Sequence, residues 1–193
     1  MNSPGIDSLE DPSDYPSVYT KYFNTEDFKT LILDQQFSIF LVNIRSCRRN
    51  FSILESFLAL NSGRFDIIAL TETWLSADID VTFDMMDYDK LNLYRGSHGG
   101  GVSIYVKKAH NAKILEELTF LSGDMEVLSI MIDYCKMNIS CIYRPPSSPI
   151  PGFNNTLLNS LLPFMSDKNH ILIGDLNINI IICLLYTSDA ADE

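Results

Sequence analysis

Asp175 and Asn177 stand two positions apart in the segment ILIGDLNI, where they interrupt an otherwise apolar run. On a β-strand, residues two apart share a face and lie about 6 to 7 Å apart along it, so both side chains can reach one phosphate group. Carboxylate oxygens suit hard cations such as Mg²⁺, and an amide can donate to a phosphate oxygen without competing for the cation. The pair is therefore a candidate for contact with a single phosphate, and its carboxylate is a candidate cation ligand.

Other polar side chains also follow apolar runs. Asn43 follows SIFLV, Glu72 follows DIIALT, and Tyr143 with Arg144 follows NISCI. Ligands gather beyond the carboxyl ends of strands in sheets with helical crossovers, so four strands could aim these groups into one cleft. Each position also has a purely structural explanation, such as a turn or an edge-strand exit, and the glycines at 99–101 fit a flexible turn into a strand equally well. The joint pattern is what favours a site.

The apolar blocks that carry these positions alternate between strand and helix patterns. Residues 37–44 and 65–73 are short and β-rich, and residues 50–60 between them have apolar side chains at near-helical spacing. This order predicts a βαβ unit. The later apolar blocks, most of them predicted strands with one helix, are 99–108, 112–120, 126–134, 136–146, 153–165 (the helix) and 170–178. Together they predict mixed β-sheets flanked by helices.

The net charge of -11 argues at first against a nucleic-acid partner, because phosphate binding normally depends on clustered Lys and Arg. Much of this charge lies in residues 1–30 and 183–193, and the section between them holds 16 acids and 12 bases. A divalent cation bound by some of those acids would reverse the local field. The composition therefore leaves DNA open as a partner.

The ends of the chain carry no targeting signal that we recognise. Residues 1–17 lack a basic region followed by an apolar one, and the longest apolar run, residues 180–186, is far shorter than the roughly 20 residues of a membrane-spanning helix. We therefore expect an intracellular protein with no membrane partner.

Five segments follow one another in a characteristic order and spacing: VNIRS (42–46), DIIALTETWL (66–75), YRG with GGGVSIYV (94–106), IYRPP (142–146) and ILIGDLNIN (171–179). In these segments the chain resembles the apurinic-endonuclease-like domain of non-LTR (LINE-type) retrotransposon proteins, within the endonuclease/exonuclease/phosphatase superfamily. The likeness covers roughly residues 37–179.

The resemblance implies a four-layered α/β sandwich, with two mixed β-sheets flanked by helices, that hydrolyses a phosphodiester with Mg²⁺ or Mn²⁺. It implies that Glu72 binds the metal with Asn43 beside it, so Glu72 and Asp175 should lie close enough to share one ion. Asp175 would orient or deprotonate the attacking water, and Asn177 would donate to a phosphate oxygen. Tyr143 would support the phosphate.

The resemblance also implies a nucleic-acid partner, a DNA duplex at the target site, for the intact parent protein. Arg144 and Arg95 would help to hold the DNA strand. A nuclear location follows from the same resemblance.

One departure concerns catalytic residues. Members of this family end with further strands that bear a Ser-Asp-His motif and an additional Asp, and we find none of these here. His170 lies an odd five positions before Asp175, so on one strand it faces the opposite side about 16 Å away. We expect His98 and His110 at the surface. No acid/base partner is therefore visible in the sequence.

A second departure concerns the ending. Residues 183–193, CLLYTSDAADE, look like a translated sequencing adapter. We therefore expect a flexible lead-in at 1–30, a C-terminally truncated domain at 31–182 that lacks its last strands, and a non-native tail at 183–193.

Three functions remain open. The first is a DNA-nicking endonuclease module, with this chain an inactive or weakly active fragment. The second is a superfamily phosphatase or phosphodiesterase acting on a small molecule or lipid, which TETWL and YRPP disfavour. The third is a catalytically dead, vestigial product, because loss of a catalytic His or Asp typically costs several orders of magnitude in rate.

Overall fold

The computed structural model describes residues 37–61, 63–96, 99–165 and 169–178. The predicted lead-in (1–30), the predicted tail (183–193) and His98 lie outside the described residues. Within the described ranges, no helix combines the length and apolar character that crossing a membrane requires.

The first sheet has four strands in the order β1-β2-β4-β3. Its elements, with the helix α1, are β1 (Ile39–Asn43), α1 (Cys47–Leu60), β2 (Ile67–Thr71), β3 (Tyr88–Leu93) and β4 (Val102–Lys107). β1 and β2 run parallel, with Asn43 opposite Thr71, and α1 connects them, so the predicted βαβ unit is confirmed. β4 is antiparallel to both β2 and β3. The sequence pattern does not reveal β3, because its segment YDKLNL is largely polar and only partly buried.

The second sheet follows the order β5-β7-β8-β9, with β6 paired to β7. Its elements, with the helix α2, are β5 (Ala112–Ile114), β6 (Phe120–Leu121), β7 (Glu126–Ile132), β8 (Met137–Tyr143), α2 (Ile150–Ser160) and β9 (His170–Asp175). β7 and β8 are antiparallel, whereas β8 and β9 are parallel, with α2 between them in the chain. The block 112–120 is not one strand, because a 3-10 turn at Glu116–Leu118 interrupts it.

The main core lies between the two sheets. Ile67 and Ile104 of the first sheet belong to the same buried cluster as Leu128 and Ile139 of the second. Each fully buried side chain of this size stabilises the fold by roughly 1.5 to 3 kcal/mol relative to an exposed one. The shared cluster therefore holds the two sheets face to face.

The helices pack on the other faces of the sheets. Phe57 of α1 stacks on Phe40 of β1, with ring centroids 5.1 Å apart. Phe153 of α2 shares a second buried cluster with Val127 and Ile142. The architecture is α/β with two mixed sheets and flanking helices, as the sequence predicts.

Strand periodicity brings several predicted site residues to one end of the inter-sheet core. Ile39 on β1, Cys141 on β8 and Ile173 on β9 all pack against that core. Because side chains alternate along a strand, the polar residues at the ends of these three strands point toward the same layer. Those strand-end residues are Asn43, Tyr143 and Asp175.

Candidate functional site

The side chain of Asn43 links the two acids that the sequence singles out. Its Nδ2 donates to Glu72 Oε1 at 2.8 Å and to Asp175 Oδ2 at 2.7 Å. Glu72 follows a strand of the first sheet, whereas Asp175 ends a strand of the second. The two carboxylates therefore meet where the sheets meet, as expected for groups that share one ion.

Glu72 reaches this position through an unusual backbone conformation. Regular alternation after β2 would place Glu72 on the side that faces α1, but its φ of 53° is left-handed and redirects the side chain. Trp74 is also left-handed, with φ 55°. Such conformations cost on the order of 1 to 3 kcal/mol each for non-glycine residues and persist only where their surroundings enforce them.

Backbone hydrogen bonds on two sides enforce this loop. On one side, Ser46 N donates to Glu72 O at 2.8 Å, at the start of α1. On the other side, Thr73 N donates to Gly101 O at 3.2 Å and Trp74 N donates to Gly100 O at 3.0 Å. The loop that carries Glu72 is therefore held between the start of α1 and the glycine segment, Gly100 and Gly101.

The glycines are required at this contact for close approach. A Cβ on Gly101 would lie 2.6 Å from Thr73 Oγ1, and the φ of Gly101 is 86°. The sequence pattern fits a flexible turn here equally well. The structure instead shows close contact with the Thr73 side chain together with a left-handed φ, a combination that favours glycine.

Tyr143 supplies a second neutral donor to Glu72. Its hydroxyl donates to Glu72 Oε1 at 3.2 Å, and its side chain is buried. Burial raises the pKa of Tyr143, and the nearby Glu72 charge raises it further. The hydroxyl therefore keeps its proton and remains a donor at neutral pH.

Asp175 and Asn177 are arranged differently from the prediction that they share one strand face. β9 ends at Asp175, and Asn177 has a left-handed φ of 49°. The backbone N of Asn177 donates to Asp175 Oδ1 at 3.2 Å, and its side-chain Nδ2 donates to Arg144 O at 2.7 Å. This turn holds the Asp175 carboxylate from the side opposite Asn43 and leaves Asn177 one further amide N–H.

Arg144 does not lie where a surface contact with DNA would require it. The residue is only 4% exposed. Its guanidinium donates to the carbonyls of Leu176 at 3.2 Å, Asn177 at 3.0 Å and Ser148. The sequence led us to expect that Arg144 holds a DNA strand, but its buried guanidinium instead fixes the segment after β9.

Arg95 remains accessible. Its side chain is 44% exposed, and its Nη1 lies 3.2 Å from Oε1 of the buried Glu126. Glu126 is not among the site residues predicted from the sequence, although an acid at the start of the apolar strand EVLSIMI is a visible signal. Burial raises the pKa of Glu126 and Glu72 adds to the rise, while the Gly101 amide and Arg95 oppose it.

The donor set fits a divalent cation of the Mg²⁺ type. In the part of the chain that the structure describes, neither Glu72 nor Asp175 has a salt-bridge partner, and neutral donors alone hold them together. The same part contains no group of three or more His, Cys, Asp or Glu side chains that could hold a metal ion, and the carboxylates available to a cation here are those of Glu72 and Asp175. Mg²⁺ is commonly held by one or two carboxylates and keeps several waters, so such a set suffices.

Two histidines can be placed away from this site. His170 Nε2 lies 2.8 Å from Ser140 Oγ, so it faces away from Asp175 as predicted. His110 is not a simple surface residue, because its Nε2 lies 2.9 Å from Asp66 Oδ1 and only 16% of its side chain is exposed. These Nε2 contacts tie His110 to Asp66 and His170 to Ser140.

Comparison with known proteins identifies the fold. No family model matches the chain, and no curated protein matches it. An AP endonuclease from Archaeoglobus fulgidus is 19% identical with a TM-score of 0.56, covering 74% of this chain and 58% of that one. The endonuclease domain of TRAS1, a telomere-specific non-LTR retrotransposon, is 15% identical with a TM-score of 0.52, covering 75% and 60%.

A phosphatase shares the same architecture. The mannosyl-6-phosphatase Bt3783 from Bacteroides thetaiotaomicron is 13% identical with a TM-score of 0.54, covering 75% of this chain and 66% of that one. The chain thus spans about three fifths of the length of the solved structures it resembles. At these identities the likeness shows the AP-endonuclease-like fold and leaves the substrate open.

Proposed function

We propose that this site hydrolyses phosphodiesters with Mg²⁺ or Mn²⁺ and that its substrate is DNA, in the manner of the nicking module of a non-LTR retrotransposon. The observation that carries the proposal is the Asn43 amide, which joins Glu72 and Asp175 while neutral donors alone hold them. Structures of the same fold include an AP endonuclease and a retrotransposon endonuclease domain, which favours DNA over other phosphate esters.

Glu72 would hold the metal, with Asn43 beside it. Asn43 Nδ2 donates to Glu72 Oε1, and its Oδ1, the atom that would contact a cation, accepts a hydrogen bond from Arg45 N at 3.1 Å. When bound, the divalent cation supplies positive charge that offsets the developing negative charge on the phosphate oxygens. Tyr143 keeps the Glu72 carboxylate oriented through its neutral hydroxyl. The metal-facing oxygens are therefore held before any substrate arrives.

Asp175 is the candidate general base. Asn43 fixes one of its oxygens and the Asn177 backbone amide fixes the other, so the carboxylate has a single orientation. From that orientation it can accept a hydrogen bond, and then a proton, from the attacking water. The remaining amide N–H of Asn177 can donate to a phosphate oxygen in the transition state.

Arg95 is the candidate contact for the DNA backbone. Its guanidinium is partly exposed and is anchored at one nitrogen by the buried Glu126, which leaves other N–H groups for a phosphate. A planar guanidinium whose Nη1 is held in place suits bidentate contact with phosphate oxygens through its other N–H groups. Arg144 contributes indirectly, through the segment that carries Asn177.

The test is nicking of supercoiled plasmid by the full chain with Mg²⁺, compared with Asp175→Asn and the exposed control Asp89→Asn. Loss of a general base typically lowers the rate by about 10²- to 10⁴-fold, so we expect that range for Asp175→Asn and no change for Asp89→Asn. Activity that survives chelation of the metal, or an Asp175→Asn rate equal to wild type, would refute the proposal.

Two further measurements separate the competing functions. Hydrolysis of soluble phosphomonoesters without plasmid nicking would identify a phosphatase instead of a DNA endonuclease. In parallel, Mg²⁺ should raise the thermal midpoint of wild type but not of Glu72→Gln, because a ligand that binds only the folded state stabilises it. Cation binding without turnover of any phosphate ester would indicate a binding or vestigial protein and would reject the hydrolytic proposal.

A further inference from the structure

Glu126 is a buried acid that the proposed reaction does not use. It begins β7, is 1% exposed, and accepts a hydrogen bond from Gly101 N at Oε2 over 2.6 Å. Its other oxygen lies 3.2 Å from Arg95 Nη1. Burying a carboxylate costs several kcal/mol unless hydrogen bonds and opposite charge offset that cost. An apolar residue could begin this strand without that cost, so the acid calls for a specific explanation.

The contacts of Glu126 lead directly to the loop that carries Glu72. The carboxylate holds the Gly101 amide, and the carbonyls of Gly101 and Gly100 accept the backbone amides of Thr73 and Trp74. Gly100 packs so closely on Glu126 and Arg95 that an added Cβ would lie 2.5 Å from Arg95 Cδ. The glycine segment is therefore held between the buried acid on one side and the loop on the other.

A second route joins the same residues. Glu126 and Tyr143 are cross-strand partners in the β7–β8 ladder, and directly opposed residues have Cβ atoms about 4.5 to 5.5 Å apart. The Tyr143 hydroxyl reaches Glu72 Oε1. Glu126 thus adjoins two of the structures that orient Glu72, the glycine segment and the tyrosine.

We propose that Glu126 is a positioning residue whose carboxylate, acting through the Gly101 amide, holds Glu72 in its metal-binding conformation. The inference rests on the proposed function in one respect only, the assignment of Glu72 as a metal-binding group. Glu126 itself touches neither metal nor substrate. It supplies the hydrogen-bond acceptor that fixes the glycine segment, which in turn enforces the left-handed conformations at Glu72 and Trp74.

Trp74 gives this proposal a direct spectroscopic readout, because it is the single tryptophan of the sequence and lies two residues from Glu72. The experiment uses the full chain and Tb³⁺, a hard, oxygen-binding cation whose luminescence is sensitised by a nearby indole. Two quantities are measured for each variant: the Tb³⁺ concentration at half-saturation of the sensitised luminescence, and the quenching of Trp74 fluorescence by acrylamide.

Three variants test whether the hydrogen-bond acceptor that Glu126 offers to Gly101 N is the feature that matters. Glu126→Ala removes it, Glu126→Gln keeps a carbonyl oxygen for Gly101 with nearly the same volume, and Glu117→Ala is an exposed control that also removes an acid. Loss of a residue that orients a metal ligand lowers metal affinity by about 10- to 100-fold, so we expect that increase in half-saturation for Glu126→Ala. Acrylamide quenching of Trp74 should increase in the same variant. Glu126→Gln should stay within about 3-fold of wild type, and Glu117→Ala should match it.

Each outcome decides a separate question. Wild-type behaviour of Glu126→Ala in both measurements would overturn the positioning role, and so would equal losses in Glu126→Gln and Glu126→Ala, since the acceptor would then not be the feature that matters. Absence of Tb³⁺ binding in wild type would reject the metal site. In that case greater Trp74 quenching in Glu126→Ala, reversed in Glu126→Gln, would still support the role of Glu126 in holding the loop, and unchanged quenching would reject it.

Discussion

Gly174 precedes Asp175 directly, and replacing it with alanine should disrupt both the second sheet and the candidate site. Gly174 lies opposite Ile142 in the parallel β8–β9 ladder. A Cβ at this position would overlap the carbonyl oxygen of Ile142 and lie 2.8 Å from its carbonyl carbon and 2.9 Å from its nitrogen. These are backbone atoms, so no side-chain rotation can relieve the clash.

The magnitude follows from the contacts that must change. Optimal separation of non-bonded carbon atoms is roughly 3.5 to 4.0 Å, so β9 must move away from β8 by roughly 1 Å or more. Overpacking of this kind costs about 1 to 3 kcal/mol. Losing two flanking ladder hydrogen bonds adds about 1 kcal/mol each, for a total of about 3 to 5 kcal/mol. That is a large part of the roughly 5 to 15 kcal/mol by which a domain is normally stable.

The assay is urea unfolding followed by Trp74 fluorescence and far-UV circular dichroism. Gly123→Ala is the matched control, because a Cβ there meets no atom within 4 Å. We expect the Gly174 variant to lose about 3 to 5 kcal/mol and the control to stay within about 0.5 kcal/mol of wild type. A Gly174→Ala protein within about 1 kcal/mol of wild type would show that the strands can separate without strain, contrary to this reasoning.

Two further predictions concern acid stability and the roles of the arginines. Burial raises the pKa of Asp66, but hydrogen bonds from His110, Ser38 and Lys107 outweigh it and lower that pKa from 3.8 to about 2. Its carboxylate therefore stabilises the fold above about pH 4, and that contribution, about 2 kcal/mol, is lost as the pH falls toward 2. The difference between the urea midpoints at pH 5 and pH 2.5 should be smaller for Asp66→Asn than for wild type. An equal difference in the two proteins would contradict the assignment. Arg144→Met should lower the free energy of unfolding by about 2 to 3 kcal/mol and leave the salt dependence of DNA binding unchanged. Arg95→Gln should instead reduce the slope of log K against log salt by about 1. A reduced slope for Arg144→Met would show that Arg144 contacts DNA after all.

The sequence predicts the buried elements of this fold well, because their side chains obey simple periodicities. β2, with all five residues buried, and α1, with apolar residues at helical spacing, are both evident from the sequence. β3 is not, since its side chains alternate only weakly between polar and apolar. The break in the block 112–120 also escapes the pattern, because apolar residues continue through the 3-10 turn.

The identities of the candidate site residues are likewise visible in the sequence, as polar groups that end apolar strands. Their arrangement is not. Asn43 and Asp175 are 132 positions apart, and only the packing of one sheet on the other brings them within a hydrogen bond. The roles of Arg144 and Glu126 also depend on long-range contacts. Arg144 is buried and donates to the segment after β9, and the buried Glu126 accepts a hydrogen bond from the glycine segment.

Periodicity explains this division between sequence and structure. Alternation along a strand is local, so a single sequence reveals which face is apolar and where the apolar run ends. A left-handed residue such as Glu72 or Asn177 breaks that alternation, and neither is a glycine that would signal the change. Hydrogen bonds to distant segments hold both residues: the backbone of Ser46, Gly100 and Gly101 holds the loop at Glu72, and Arg144 holds Asn177. The direction of the side chains that would perform the chemistry was therefore decided only by the tertiary structure.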